Sequence, residues 1–256
     1  MRAAHAALFL LPISVLMALV FVIPLGQIAF TSLDGMAFST RAYAELASSS
    51  LFNKVLFNTF EISIGSVLVS LLVGYPIAYH LSRVSPRRRA IYLILVLLPF
   101  WTSILVKSFA FTVILGENGI INSMLRGLLG QEAVLPLLFN RVGVTIGMVH
   151  YLLPFMVFPI LVSLLSQSSD IHRAARIMGA SRSRIFVRIT LPLSLPGVLA
   201  GSVMTLVLSL GMFVTPALLG GRRDLMMANL VDFYTRISRD WGIASAIALL
   251  LLIITG

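Results

Sequence analysis

Residues 170–192 read DIHRAARIMGASRSRIFVRITLP, the densest set of groups in the chain able to act on a partner. Asp170 suits a helix N-cap, where a carboxylate accepts orphan backbone N–H bonds and meets the positive end of the helix dipole. Gly179 suits the left-handed C′ position that ends a helix. A short helix over 170–178 is therefore expected, carrying Arg173, Ala174, Ala175, Arg176 and Met178. Ser181 is placed to cap a second short helix running to Ile189, and Pro192 and Pro196 fit the first turn of the helix that follows. Ala174, Ala175 and Met178 are small or pliant, so an exposed face carrying them would seat closely in another protein's groove, with Arg173 and Arg176 reaching acidic groups on its rim. The alternative chemistry is an amphipathic loop held on anionic lipid by its arginines.

Two further charges lie inside apolar runs, Glu61 and Lys107. Glu61 either meets a cationic substrate or snorkels to an interface. Lys107 either lines a cavity or pairs with a carboxylate of a partner subunit. Phe100, Trp101, Met212 and Phe213 either stack on a substrate amine or face lipid and core. Catalytic constellations are missing. There is no G-x-x-x-x-G-K-[ST] loop and no H-E-x-x-H, and His5, His80, His150 and His172 are too scattered for a metal cluster. The chain has no cysteine, which removes disulfides, thiolate metal sites and sulfur nucleophiles. A non-catalytic protein with no cofactor of its own is expected.

The elements that must position these groups are membrane helices. Of 256 residues, 59% are hydrophobic and 11% charged, against about a quarter charged in soluble domains. Such a chain cannot cover a globule with polar surface, which excludes a soluble enzyme, a disordered chain and a nucleic-acid-binding module. A spanning helix takes roughly 20 mostly apolar residues. Spans are expected at about 6–30, 62–81, 90–115, 142–165, 193–219 and 242–256, the last cut short at Gly256. The first run is longer than a signal-peptide core of about 7–15 residues, so a retained helix is expected. No composition shift marks a second domain, and one transmembrane domain over 1–256 is expected, with 166–192 as its main inner loop. Apolar patterns after Gly116 and over 225–237 predict interfacial helices. The net charge of +10 reflects topology. Arginine is densest in the short segments 83–89 and 166–192 and at Arg2, which places them and the N-terminus in the cytoplasm. Pro76, Pro154, Pro159 and Pro216 should bend spans. Gly143/Gly147 and Gly197/Gly201 should let helices approach closely.

The spacing of the inner loop resembles the EAA loop of ABC importer permeases: E-A-A, three residues, G, nine residues, then I-x-L-P. Ala174, Ala175, Gly179, Ile189, Leu191 and Pro192 occupy those positions, with Arg173 where the pattern has Glu. PFWTS at 99–103, NGIIN at 118–122 and LGMFVTPALLGG at 210–221 resemble the spermidine/putrescine branch of these permeases, and Asp240, Trp241, Ala244 and Ala246 continue the likeness. The resemblance implies an all-α integral membrane protein with the six helices of the type I ABC importer (MetI-like) fold. It implies a second, similar permease subunit, two ATPase subunits holding ATP and Mg, a periplasmic substrate-binding protein, and a place in the bacterial inner membrane. Asp170, Arg173, Ala174, Ala175, Arg176, Met178 and Gly179 would couple to the ATPase. Glu61, Trp101, Lys107, Met212, Phe213 and Thr215 are the candidate substrate-path residues. Polyamines are the expected substrates, with opines, aminobutyrate, phosphonates and ferric complexes also handled by the branch. An ion-coupled secondary transporter is the rival class, and it would need more buried ionisable groups than this chain offers.

Overall fold

The computed structural model describes residues 2–256, with side chains from residue 10 onward; the side chains of Arg2 and His5 lie outside the described residues. Among the described residues the chain is helical and has no strand. In order the helices are α1 (Arg2–Met17), α2 (Ile23–Ser32), α3 (Arg41–Ser48), α4 (Ser50–Arg83), α5 (Pro86–Trp101), α6 (Ile104–Leu115) and α7 (Ile120–Leu129). Then come α8 (Arg141–Leu165), α9 (Ser169–Ile177), α10 (Arg182–Ile185), α11 (Leu191–Leu210), α12 (Val214–Leu219), α13 (Met227–Phe233) and α14 (Trp241–Thr255).

Five stretches are long and apolar enough to cross a membrane: Leu10–Ser32, Ser50–Arg83, Ile104–Leu129, Arg141–Leu165 and Arg182–Leu210; Trp241–Thr255 is a shorter apolar helix. The first joins α1 to α2 through the π turn Ala18–Val22, and Pro24, which has no N–H to donate, falls in the first turn of α2. The second begins well before the apolar run expected at 62–81, because α4 carries its polar start, Ser50 to Glu61, in the same unbroken helix.

Two expected spans are divided. The run at 90–115 breaks after Trp101, where Thr102 and Ser103 are extended. Pro99 withdraws a backbone donor there, and its own carbonyl accepts from Thr102 Oγ1 at 3.1 Å and from Lys107 Nζ. The membrane-length segment in this region is α6 with α7, not 90–115. The run at 193–219 starts earlier, at Arg182, since α10, the π turn Phe186–Thr190 and α11 follow without a gap. It ends earlier too: Gly211 closes α11, and α12 restarts at Val214. The helix expected to end at Ile189 is thus the beginning of the following span.

The chain divides into two compact units, Met1–Leu56 with Met227–Gly256, and Phe57–Met226. No change of composition announces this division. In the first unit α14 packs on α2, and Ala42, Leu46, Val55, Met227, Leu230, Ile243, Ala246 and Ile247 form the core. Asp240 caps α14 by accepting from the Ile243 N–H at 3.0 Å.

In the second unit α11 packs along α8. The contact runs through the small residues noted in the sequence. A Cβ at Gly197 would lie 2.5 Å from both the Pro159 carbonyl oxygen and Ser163 Cβ, and one at Gly201 would lie 3.1 Å from the Met156 carbonyl oxygen. Side chains at either glycine would hold the helices apart, so glycine here permits the close approach typical of membrane interfaces. Gly147 plays the same part against α12, where Leu219 and Thr215 fill the space. Two cores flank these contacts, one around Ile62, Met148, Leu152 and Leu219, the other around Ala78, Met156, Ile160 and Leu161. A helix, α7, does form where an interfacial one was expected after Gly116, and it belongs to the membrane-length stretch Ile104–Leu129. It exposes Ile120, Met124, Leu128 and Leu129, while buried Asn122 ties it to the Gly116 and Leu135 carbonyls, each at 3.0 Å.

Candidate coupling loop and substrate-path residues

The loop between α8 and α11 is built from capping signals. Ser168, not Asp170, is the N-cap of α9: its hydroxyl accepts from the Asp170 N–H at 3.2 Å. Asp170 instead sits in the first turn, where its charge still favours the helix dipole, and pairs with Arg173 at 3.8 Å. Both residues of this pair are exposed, so the pair adds little stability. Met178 is the C-cap and Gly179 has φ +79°. The Gly179 N–H donates to Arg176 and the Ala180 N–H to Ala175, each at 3.0 Å, which is the Schellman pattern. Ser181 then caps α10 by accepting from the Arg184 N–H at 3.3 Å.

This sharp turn folds α9 back on the start of the next span. His172 lies 3.1 Å from both the Ser168 carbonyl oxygen and Thr190 Oγ1, and Gln167 Nε2 donates to the Thr190 carbonyl at 3.0 Å. Ala175, expected on the exposed face, is instead buried, one turn along from His172 on the inward side. The exposed apolar face consists of Ile171, Ala174, Ile177 and Met178. Its spacing of three and four residues makes a single stripe on α9. Arg176 does not stand free on a rim; its Nε donates to the His172 carbonyl at 3.3 Å.

The substrate-path candidates do not form one cluster. Glu61 is engaged by Arg141, which also donates to Asn58 Oδ1 at 3.0 Å and to Asp224 Oδ1 at 3.4 Å. Asn58 in turn donates to the Arg223 carbonyl at 2.6 Å. Glu61 is therefore part of a polar clasp joining α4, the start of α8 and the segment after α12. Sequence reading missed Arg141, Asp224 and Asn58, since each alone is an ordinary polar residue at the edge of an apolar run.

Trp101 and Lys107 stand on either side of the α5–α6 break. Trp101 is 72% exposed. Lys107, besides donating to Pro99, sits over the Tyr151 ring at 5.0 Å from its centroid. Tyr151 continues into an aromatic row, with Phe155 at 5.9 Å and Phe100 at 5.7 Å from Phe155. Lys107 thus has two partners within the chain, the Pro99 carbonyl and the Tyr151 ring. Met212 is buried in the core with Met148 and Leu219, and Thr215 is buried against Gly147. Phe213, between them, is partly exposed at the break that ends α11. Among the described residues no group of histidine and acidic side chains is arranged to hold a metal ion.

Comparison with known proteins agrees with this architecture. The chain is 34% identical over 226 residues to the spermidine/putrescine transport system permease protein PotB of Haemophilus influenzae, covering 87% of this chain and 79% of that protein. It is 31% identical over 221 residues to the protein of the same name from Escherichia coli, covering 86% and 80%. Among solved structures it superposes on a chain of a bacterial alginate ABC transporter, in complex with an alginate-pentasaccharide-bound periplasmic protein, with a TM-score of 0.81. That match has 20% identity and covers 99% of this chain and 91% of the other, and so speaks to the fold. The chain is a non-catalytic, multi-pass inner-membrane permease with the type I importer fold. The family model for the inner membrane component of binding-protein-dependent transport systems matches residues 66–256, and the chain belongs to that family.

Proposed function

We propose that this chain is a permease subunit of an ATP-driven polyamine importer and that α9 is the element through which ATP hydrolysis drives it. The observation that carries the coupling role is the exposed stripe Ile171, Ala174, Ile177 and Met178 on a helix fixed by a Schellman turn to the start of a membrane span. An apolar stripe on a helix is suited to lie in a groove of a partner. The polyamine assignment is supported by the likeness to the two PotB proteins. The chain acts as one transmembrane permease unit over 1–256. It works beside a second, similar permease subunit, with two ATPase subunits that hold ATP and Mg and a periplasmic protein that delivers substrate. The N-terminus and the loops 83–89 and 166–192 face the cytoplasm, where arginine is densest.

Within the path, Arg141 already neutralises Glu61. Recognition of a cationic substrate on this chain falls instead to aromatic faces at the helix breaks, Trp101 and Phe213. The test is uptake of labelled spermidine and putrescine into proteoliposomes holding the reconstituted complex. ATP-dependent accumulation blocked by Ala174→Glu, with the ATPase lost from the complex, is the expected result. Uptake of another solute but no polyamine refutes the substrate. Normal uptake and normal ATPase retention with Ala174→Glu refute the coupling role.

A further inference from the structure

Within the unit Phe57–Met226 a cavity of about 340 Å³ lies between α9, the end of α4 and the start of α10. Its size falls in the range of small-ligand sites, about 300–1,000 Å³. Arg83, Arg176 and Arg182 line it together with His172, and no carboxylate does. Among the described residues none of the three arginines makes an ion pair; the pairs found engage Arg141, Arg173 and Arg236. Two of the lining guanidiniums are nevertheless held. Arg83 Nη2 donates to the Tyr79 hydroxyl at 2.8 Å, with its carbon 4.8 Å from the ring centroid, and Arg176 is anchored through Nε to His172. The ends of these guanidiniums keep donors that the protein does not use.

Three like charges on one small cavity repel one another, and an anion between them converts that repulsion into attraction. Guanidinium forks match the oxygens of phosphate in geometry as well as charge. The hydroxyls of Ser82 and Ser169 in the same wall add neutral donors. The position has a second meaning. Arg83 ends one membrane-length helix, Leu164 lies one residue before the end of another, and Arg182 begins a third. Helix ends lie at the level of lipid headgroups.

We propose that this cavity binds a phosphate-bearing anion, either the headgroup phosphate of an anionic phospholipid or free phosphate, and that the bound anion braces α9 against the end of α4. The site differs from the exposed stripe of α9 that faces the ATPase, and it holds whichever substrate the importer carries.

The experiment uses the full-length chain purified in a zwitterionic detergent. One arm adds phosphatidylglycerol against phosphatidylcholine, and the other adds inorganic phosphate against chloride at equal ionic strength. Bound probe is read by native mass spectrometry and by the shift in melting temperature. Phosphatidylglycerol, phosphate or both should bind and raise the melting temperature by a few degrees. The Arg83→Gln/Arg182→Gln variant should bind at least about tenfold more weakly, and the Arg83→Lys/Arg182→Lys variant should keep most of the binding. Arg87→Gln/Arg88→Gln, outside the cavity lining, should bind as wild type does. A response to phosphatidylglycerol alone assigns the site to lipid, and a response to phosphate alone to the free anion. No binding of either probe overturns the proposal, as does equal weakening by the two glutamine variants.

Discussion

Replacing Gly197 by alanine adds one methyl group where α11 crosses α8. The new Cβ would sit 2.5 Å from the Pro159 carbonyl oxygen and from Ser163 Cβ, and 3.1 Å from Ile160 Cα. Ordinary contact needs roughly 3.5 Å, so the shortfall is about 1 Å and two of the three obstacles are backbone atoms. Neither can rotate away, and the helices must separate. Overpacking of this kind costs about 1–3 kcal/mol, and the rigidity of the neighbours puts Gly197→Ala near the top, about 3 kcal/mol. Alanine's helix propensity returns about 1 kcal/mol, for a net loss of about 2 kcal/mol. Gly65 supplies the control: it lies in α4 with nothing within 4 Å of its would-be Cβ. Gly65→Ala should therefore gain up to about 1 kcal/mol. Gly201→Ala, with its closest atom at 3.1 Å, should fall between. The measurement is thermal unfolding of each variant in detergent, followed by fluorescence-detected gel filtration. Should Gly197→Ala melt with wild type or above Gly65→Ala, the contact between α8 and α11 is not the close-packed one described.

Arg141→Met strips the clasp from Glu61, Asn58 and Asp224 and should lower stability by about 1–2 kcal/mol. Arg141→Lys should recover only part of this, because one ammonium cannot reach in the fork geometry that serves several partners; melting curves of both variants decide it. Lys107→Met removes a donor from the Pro99 carbonyl and the cation over Tyr151, a loss of about 1–2 kcal/mol. Of the chain's 2 tryptophans, Trp101 borders that break, so its fluorescence in a Trp241→Phe background should shift. Gly179→Val forces a β-branched residue to φ +79° at a cost of at least about 1 kcal/mol. It should lower uptake per ATP hydrolysed more than it lowers protein level in membranes. Ser181→Cys should be labelled by an impermeant thiol reagent only in inverted vesicles; labelling in intact cells would reverse the topology.

Apolar runs and capping residues carried most of the architecture into the sequence. The helices form around the apolar runs, Gly179 ends α9 because no other residue fits its φ so cheaply, and Gly197 and Gly201 mark where α11 touches α8. The failures depend on where backbone bonds go or on which distant side chains meet, and side-chain hydropathy records neither. The run at 90–115 is apolar throughout except for Lys107, yet Pro99 divides it, and the lysine that interrupts the pattern helps satisfy the freed carbonyl. Ser168 and Asp170 are both good caps, and only the path of the chain out of α8 chose the serine. Arg141 and Asp224 are 83 residues apart in the chain, so their meeting becomes visible only once α8 and α12 are folded.

The uninterrupted course from Arg182 to Leu210 has a mechanical consequence. Its 29 residues make a rod of about 43 Å at the usual helical rise, with the loop turn at one end and the Gly211 break at the other. A rod of this kind acts as a lever: tilt imposed at its base reappears as sideways travel at its tip, and a rotation of about 10° about its middle moves the tip by roughly 3 Å. The glycines at 197 and 201 lie near mid-length, where α8 serves as the fulcrum. Beyond the tip, the break before α12 works as a joint, so the swing of the lever need not drag the buried Thr215 and Leu219 with it. Motion entering at the loop would then be spent at the Gly211 break, beside Met212 and Phe213.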